Sequence, residues 1–162
     1  MIYIGIDVGL QGAVAIINEK RDLLHLQEMP TFTVEVSGKT RRKYHCQGIW
    51  TFLANRIERP CLAVLENIHS MPGQSSQSMF SLGHGVGIME GILTSLEIPY
   101  EKVHPQSWKA KVLHGTDKSK NASILKANEL FPGLNFRKKK DHNKAEAILL
   151  AYWGLLRERG GN

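Results

Sequence analysis

Cysteine is scarce in this chain, and the two present, Cys46 and Cys61, stand apart without metal-ligand spacing. Cys61 falls in an apolar run and reads as a core residue, while Cys46 reads as a loop thiol. Both suit a reducing cytoplasm, the expected location. No apolar stretch approaches the roughly 20 residues of a membrane helix, and Met1-Ile2-Tyr3 has neither a basic leader nor a cleavage site. Neither membrane nor export is therefore expected. Internal repeats and low-complexity segments are absent, so 162 residues with 42% hydrophobic content read as one domain spanning 1–162. Acidic residues are outnumbered: 15 Asp plus Glu against 21 Lys plus Arg leave a net charge of +6, which favours a polyanionic partner. The cations also cluster, in Arg41-Arg42-Lys43, Lys109 with Lys111, Lys118 with Lys120, and Arg137-Lys138-Lys139-Lys140.

The few acids occupy telling places. Asp7 interrupts what otherwise reads as a buried hairpin, in Ile4-Gly5-Ile6-Asp7-Val8-Gly9-Leu10-Gln11-Gly12-Ala13. A carboxylate at the inner end of such a strand is costly to desolvate, a cost usually met where it holds a metal or a phosphate-bound metal. Gly5, Gly9 and Gly12 would let a polyanion approach the backbone. The plainer role is a turn shaped by the Asp side chain. Pro60-Cys61-Leu62-Ala63-Val64-Leu65-Glu66 repeats the pattern, a short apolar run ending in an acid, as in a strand covered on both faces. The third cluster opens a helix over 142 to about 158, where His142, Asn143 and Glu146 share a face and Asp141 sits at the start. Two strands and a helix can thus supply oxygen ligands to one site.

These motifs resemble the RuvC-type Holliday junction resolvases of the ribonuclease H-like superfamily: Gly5-Ile6-Asp7-Val8-Gly9, then Leu65-Glu66-Asn67, then Asp141 through Ala151. Met71-Pro72-Gly73-Gln74-Ser75, followed by a Gly-rich helix, is most similar to small phage RuvC-like proteins, so a bacterial cell or phage-infected host is implied. In the bacterial pattern the last helix offers two acids three residues apart; here Asn143 precedes Glu146 by three and Asp141 by five. The resemblance implies an α/β fold with a mixed central sheet flanked by helices. It implies a metal-dependent endodeoxyribonuclease cutting four-way junctions, and other branched DNA, in paired fashion as a homodimer. Asp7, Glu66, Asp141 and Glu146 would hold two Mg²⁺, replaceable by Mn²⁺, about 3.5–4 Å apart. Oxygen ligation suits a hard ion, where zinc would favour His and Cys. His69 stands where the bacterial family carries an aromatic wedge. Lys109, Lys118 and Lys120, with Lys138, Lys139 and Lys140 beside the acidic helix, are expected to hold the DNA backbone.

Other readings differ in class. The Gly-rich turn at Asp7 also suits a sugar-kinase or actin-like ATPase fragment, but a second phosphate loop and the length for two lobes are missing. A non-catalytic DNA-binding protein on the same fold would bind branched DNA without metal-dependent cutting. A nuclease of forks, flaps or RNA–DNA hybrids would differ only in substrate shape. Along the chain, the pattern predicts a meander over 1–30 and a polar insert at 31–43 able to pair as strands and touch DNA. A helix over 46–58 follows, with Ile49, Trp50, Leu53 and Ile57 on its stripe, then a strand ending at Glu66. Beyond come helices over 78–96, 106–113 and 118–131, with a strand at 100–104. Gly83, Gly87 and Gly91 recur every four residues, a spacing that packs against this chain's own sheet or a neighbouring helix or, alternatively, forms a subunit contact.

Overall fold

Apolar runs rich in β-branched residues build the centre of the computed structural model, which describes residues 1–67, 73, 75–116 and 121–160. Strands β1 (Ile2–Asp7), β2 (Ala13–Asn18) and β3 (Leu23–Glu28) form an antiparallel meander. On its other edge β1 runs parallel to β6 (Cys61–Glu66), which runs parallel to β7 (Tyr100–Val103). The order is therefore β3-β2-β1-β6-β7, a mixed sheet with β1 at its centre and β2 and β6 beside it. The polar insert becomes a separate hairpin of β4 (Thr31–Val36) and β5 (Lys39–Tyr44). Its turn takes positive φ at both Ser37 and Gly38, the geometry whose twist matches a two-residue hairpin.

Among the described residues five α-helices cover the sheet: α1 (Cys46–Ala54), α2 (Ser76–Ser95), α3 (Pro105–Val112), α4 (Ala122–Leu130) and α5 (His142–Gly160). Strand periodicity of two decides which residues meet which layer. Ile2, Ile4 and Ile6 of β1, with Ala63 and Leu65 of β6, pack against Ile49, Leu53, Met89 and Leu93 of α1 and α2. The alternate residues face α5 and its neighbours: Tyr3 meets Ala147 and Ala151, while Val64 joins Trp108, Ile124 and Leu149. Asp7 and Glu66 continue the second series, so both carboxylates fall on the α5 side at the carboxyl ends of adjacent parallel strands. Open α/β sheets generally bind ligands at that edge.

Several sequence expectations change here. A Cβ on Gly5 would lie 1.9 Å from the Ala147 carbonyl oxygen, and one on Gly12 2.0 Å from the Asp7 carbonyl oxygen. These glycines admit neighbouring backbone, of α5 and of the β1–β2 turn, where a polyanion was expected. Helix α1 stops at Ala54 and buries Ile49, Phe52 and Leu53. Trp50, expected on that stripe, is 43% exposed, because the helix turns Phe52 to the sheet instead. Helix α4 begins at Ala122; the expected start at Lys118 lies outside the described residues. The α2 glycines face neither sheet nor helix: a Cβ on Gly83, Gly87 or Gly91 would meet nothing within 4 Å. Among the described residues no helix is long and apolar enough to cross a membrane.

Candidate active site

Three carboxylates converge electrostatically where β1, β6 and the first turns of α5 meet. Asp7 has its carboxyl pushed up to about 7, first by burial and then by the charges of Glu146 and Glu66. Glu66 is raised as well, chiefly by burial, with Glu146 adding repulsion and the Trp108 indole and Lys109 ammonium pulling the other way. Glu146, buried on α5, collects the compensation: its Oε1 receives Lys109 Nζ at 2.7 Å, the Ser123 hydroxyl at 3.1 Å and His142 Nε2 at 3.3 Å. Glu66 accepts one hydrogen bond, 2.8 Å from Trp108 Nε1. Tyr44, at the foot of the hairpin, also senses the site, since burial and the Asp7 charge raise its hydroxyl pKa. Carboxylates crowded in this way favour a bound cation.

Asp141 does not join this group. It ends the 3₁₀ turn Lys139–Asp141, where Oδ2 accepts the Lys138 backbone N–H at 3.1 Å and Oδ1 meets Lys144 Nζ at 2.9 Å. Those two donors hold its carboxyl below the ordinary aspartate range. Lys144 also reaches Glu28 on β3 at 3.3 Å, so the cluster ties the start of α5 to the sheet. Asn143, three residues before Glu146, donates from Nδ2 to the Gln11 carbonyl at 2.7 Å and borders the same cleft as Asp7. Among the described residues no three His, Cys, Asp or Glu side chains stand ready to ligate one ion. In this arrangement Glu146 is engaged by Lys109.

The proposed DNA contacts divide. Lys109 lies among the carboxylates, with its ammonium also 5.0 Å from the Trp108 ring centroid. Lys138 is exposed, and Lys139 and Lys140 border a cleft of about 1060 Å³ together with Arg42 and Asn143. A second cleft, about 860 Å³, adjoins it through the β1–β2 turn and carries Asp7. His69, Lys118 and Lys120 lie outside the described residues. Trp108 and Ser123 were not singled out from sequence. An isolated Trp in a short helix and a Ser in another carry no local signal, and only the packing of α3 and α4 on α5 brings them to the acids.

No protein-family model matches the chain. Superposition on a Thermus thermophilus RuvC structure gives a TM-score of 0.67 at 16% identity, covering 99% of this chain and 97% of that one. The chain has the fold of RuvC. A T. thermophilus RuvC in complex with Holliday junction substrate matches as well, with TM-score 0.67 at 13% identity over 99% of this chain and 97% of that one. The mixed sheet and flanking helices of the RuvC-like, ribonuclease H-like α/β fold therefore agree with the sequence expectation. In sequence, 88 residues, 52% of this chain, are 33% identical to the chloroplastic Holliday junction resolvase MOC1 of Chlamydomonas reinhardtii. The match spans 10% of that protein's length.

Proposed function

We propose that this chain is a metal-dependent endonuclease that resolves Holliday junctions, and other branched DNA, by phosphodiester hydrolysis. One observation carries the reading: Asp7 and Glu66 end adjacent parallel strands on the face that meets Glu146 of α5, and burial, with repulsion from Glu146, raises both strand carboxyls. An all-oxygen donor set of that charge fits a hard divalent cation. Asp7, Glu66 and Glu146 would hold it; Asp141, already satisfied by Lys144 and the Lys138 N–H, would brace the 3₁₀ turn that leads into α5. Bound Mg²⁺, or Mn²⁺ in its place, would supply Lewis acidity and a water nucleophile at neutral pH.

The chain's own groups do the rest. Trp108 donates to one oxygen of Glu66 and fixes its rotamer from a fully buried position. His142 and Ser123 orient Glu146 from either side. Lys109, 38% exposed at its side chain, bridges the buried acids and the solvent edge. From there its ammonium can turn from Glu146 to a phosphate oxygen and offset charge developing there. Lys138, Lys139 and Lys140 would hold the backbone without reading sequence. The exposed stripe Gly83, Gly87 and Gly91 supports a two-fold dimer through α2, which would bring two active sites to the two equivalent strands of a four-way junction. Light scattering should then give twice the 18.2 kDa chain mass, with paired cuts.

A second reading, a branched-DNA-binding protein that does not cut, is favoured by the 2.7 Å contact that leaves Lys109 where a cation would sit against Glu146. Incubating the protein with labelled four-way junction, fork, flap and duplex, with and without Mg²⁺, separates the two. Mg²⁺-dependent cutting of the junction supports the nuclease; binding without cutting under any divalent ion supports the alternative.

A further inference from the structure

The most exposed large apolar side chain among the described residues is Phe80, at 77%, on the second turn of α2. It is not isolated. Its ring lies nearly parallel to that of His84, 9° apart with centroids separated by 6.1 Å. His84 in turn meets Tyr44 edge-on, with centroids 6.3 Å apart. The Tyr44 hydroxyl packs where a Cβ on Gly85 would stand, 2.3 Å away, so the foot of the hairpin is locked against α2. A ladder of rings therefore rises from the buried edge of the site to solvent. Phe80 and His84 border the 860 Å³ cleft that holds Asp7, and Arg41, Arg42 and Lys43 of β5 border it too. Arg42 also reaches the Leu10 carbonyl at 3.4 Å, which ties the hairpin to the turn following Asp7.

We infer that this cleft is a nucleotide site: an unpaired base of the DNA stacks on Phe80 and His84 while its flanking phosphates lie on Arg41, Arg42 and Lys43. The inference rests on the nuclease reading and adds to it a place where a strand opened at the branch is held beside the scissile phosphate. An exposed ring pair is a sequence-tolerant platform for any base, and a cationic strand across the cleft supplies the complementary grip for phosphate. A second copy of the chain seated on α2 would need no cationic strand opposite. The charge therefore favours DNA at this end of the helix.

The test uses the Asp7→Asn protein, which should hold DNA without cutting it, and junctions carrying 2-aminopurine at each branch-point position in turn. Binding should quench the probe at one position. Adding Phe80→Ala should abolish that quenching and weaken junction binding roughly ten-fold, within the range that base–aromatic stacking supplies. Phe80→Trp should retain the quenching. Arg41→Gln combined with Arg42→Gln should keep it too, while lowering the log–log salt slope by about two. Because Phe80 is exposed, its truncation leaves the core intact. If the parent binds junctions yet Phe80→Ala alters neither fluorescence nor affinity, the platform is wrong and the nuclease reading stands. If Phe80→Ala halves the mass in light scattering, the ring is a subunit contact and the inference is overturned. Failure of the parent to bind any branched DNA would overturn the nuclease reading, and this inference with it.

Discussion

A lone acid, Asp141, and a group of three, Asp7, Glu66 and Glu146, both meet the start of α5, and their electrostatics are opposite. At Asp141, a lysine and a backbone N–H meet one carboxylate, and its carboxyl is held below the ordinary range. At Asp7, Glu66 and Glu146, three carboxylates share Lys109 as their nearest ammonium, and burial with mutual repulsion lifts Asp7 to about 7. A satisfied acid stabilises the fold that surrounds it. A crowded group of acids lowers stability in the free protein and gains most from a ligand that brings positive charge, which is why perturbed carboxyls mark functional sites. Sequence proximity to the acidic helix does not separate the two kinds; their partners do.

The largest effect should come from Glu66→Gln, which preserves size while removing a ligand charge. Losing several kcal/mol of transition-state stabilisation corresponds to roughly a thousandfold or greater fall in cleavage rate. Single-turnover assays should show that fall while gel-shift affinity for the junction holds. Cutting at near wild-type rate would place the chemistry elsewhere.

Stability against pH sharpens the same contrast. The folded protein keeps a proton on Asp7 up to about 7, whereas the unfolded chain releases it near 3.8. The metal-free fold should therefore lose stability as pH rises between those values, by a few kcal/mol at most. Asp7→Asn should remove that slope and raise the metal-free Tm at pH 8 by several degrees, at roughly 2–4 °C per kcal/mol for a chain of this size. Asp141 works with the other sign: its contribution is present above the unfolded value and fades as pH falls through the folded one. Thermal melts from about pH 2 to 8 in chelator would check both, and an Asp7→Asn protein less stable than wild type at pH 8 would contradict the crowding at Asp7.

Lys109→Met tests what connects the acids. With the ammonium gone, repulsion among the three carboxylates is less offset, so the metal-free Tm should fall further between pH 5 and pH 8 than it does in wild type. Cleavage should fall on the order of a hundredfold, as when one charge-stabilising donor is removed. The kinetic split matters, since a simple backbone contact would raise KM and leave kcat unchanged. A smaller effect is expected from Lys139→Gln with Lys140→Gln, which should weaken binding to all DNA sequences alike and lower the log–log salt slope by about one per lost phosphate contact.

Much of this was legible in the chain because strand burial and acid placement are local. Apolar runs ending in Asp7 and Glu66 announce inner strands with carboxylates at their ends, and Glu146 inside an apolar helix announces a buried acid. What sequence alone could not provide is contact between distant elements. Trp108 and Ser123 reach the acids only because α3 and α4 pack on α5, and Lys109 looked like one more surface cation. Charge, position and the family resemblance group Asp141 with the metal ligands. Its pairing with Lys144 is the ordinary i,i+3 contact of a helix start, but the 3₁₀ turn that also gives it the Lys138 N–H has no local signal. The glycines of the first motif misled for a similar reason, since the backbones they admit belong to α5 and to the turn itself.

The most direct measurement compares the two clusters in one assay: single-turnover cleavage of a labelled four-way junction in Mg²⁺ by wild type, Asp7→Asn and Asp141→Asn. Asp7→Asn should bind the junction but not cut it. Asp141→Asn, which keeps a side-chain oxygen for the Lys138 N–H, should cut within a few-fold of wild type. Loss of cleavage in Asp141→Asn with an unchanged Tm would contradict the division drawn here and return Asp141 to the metal site.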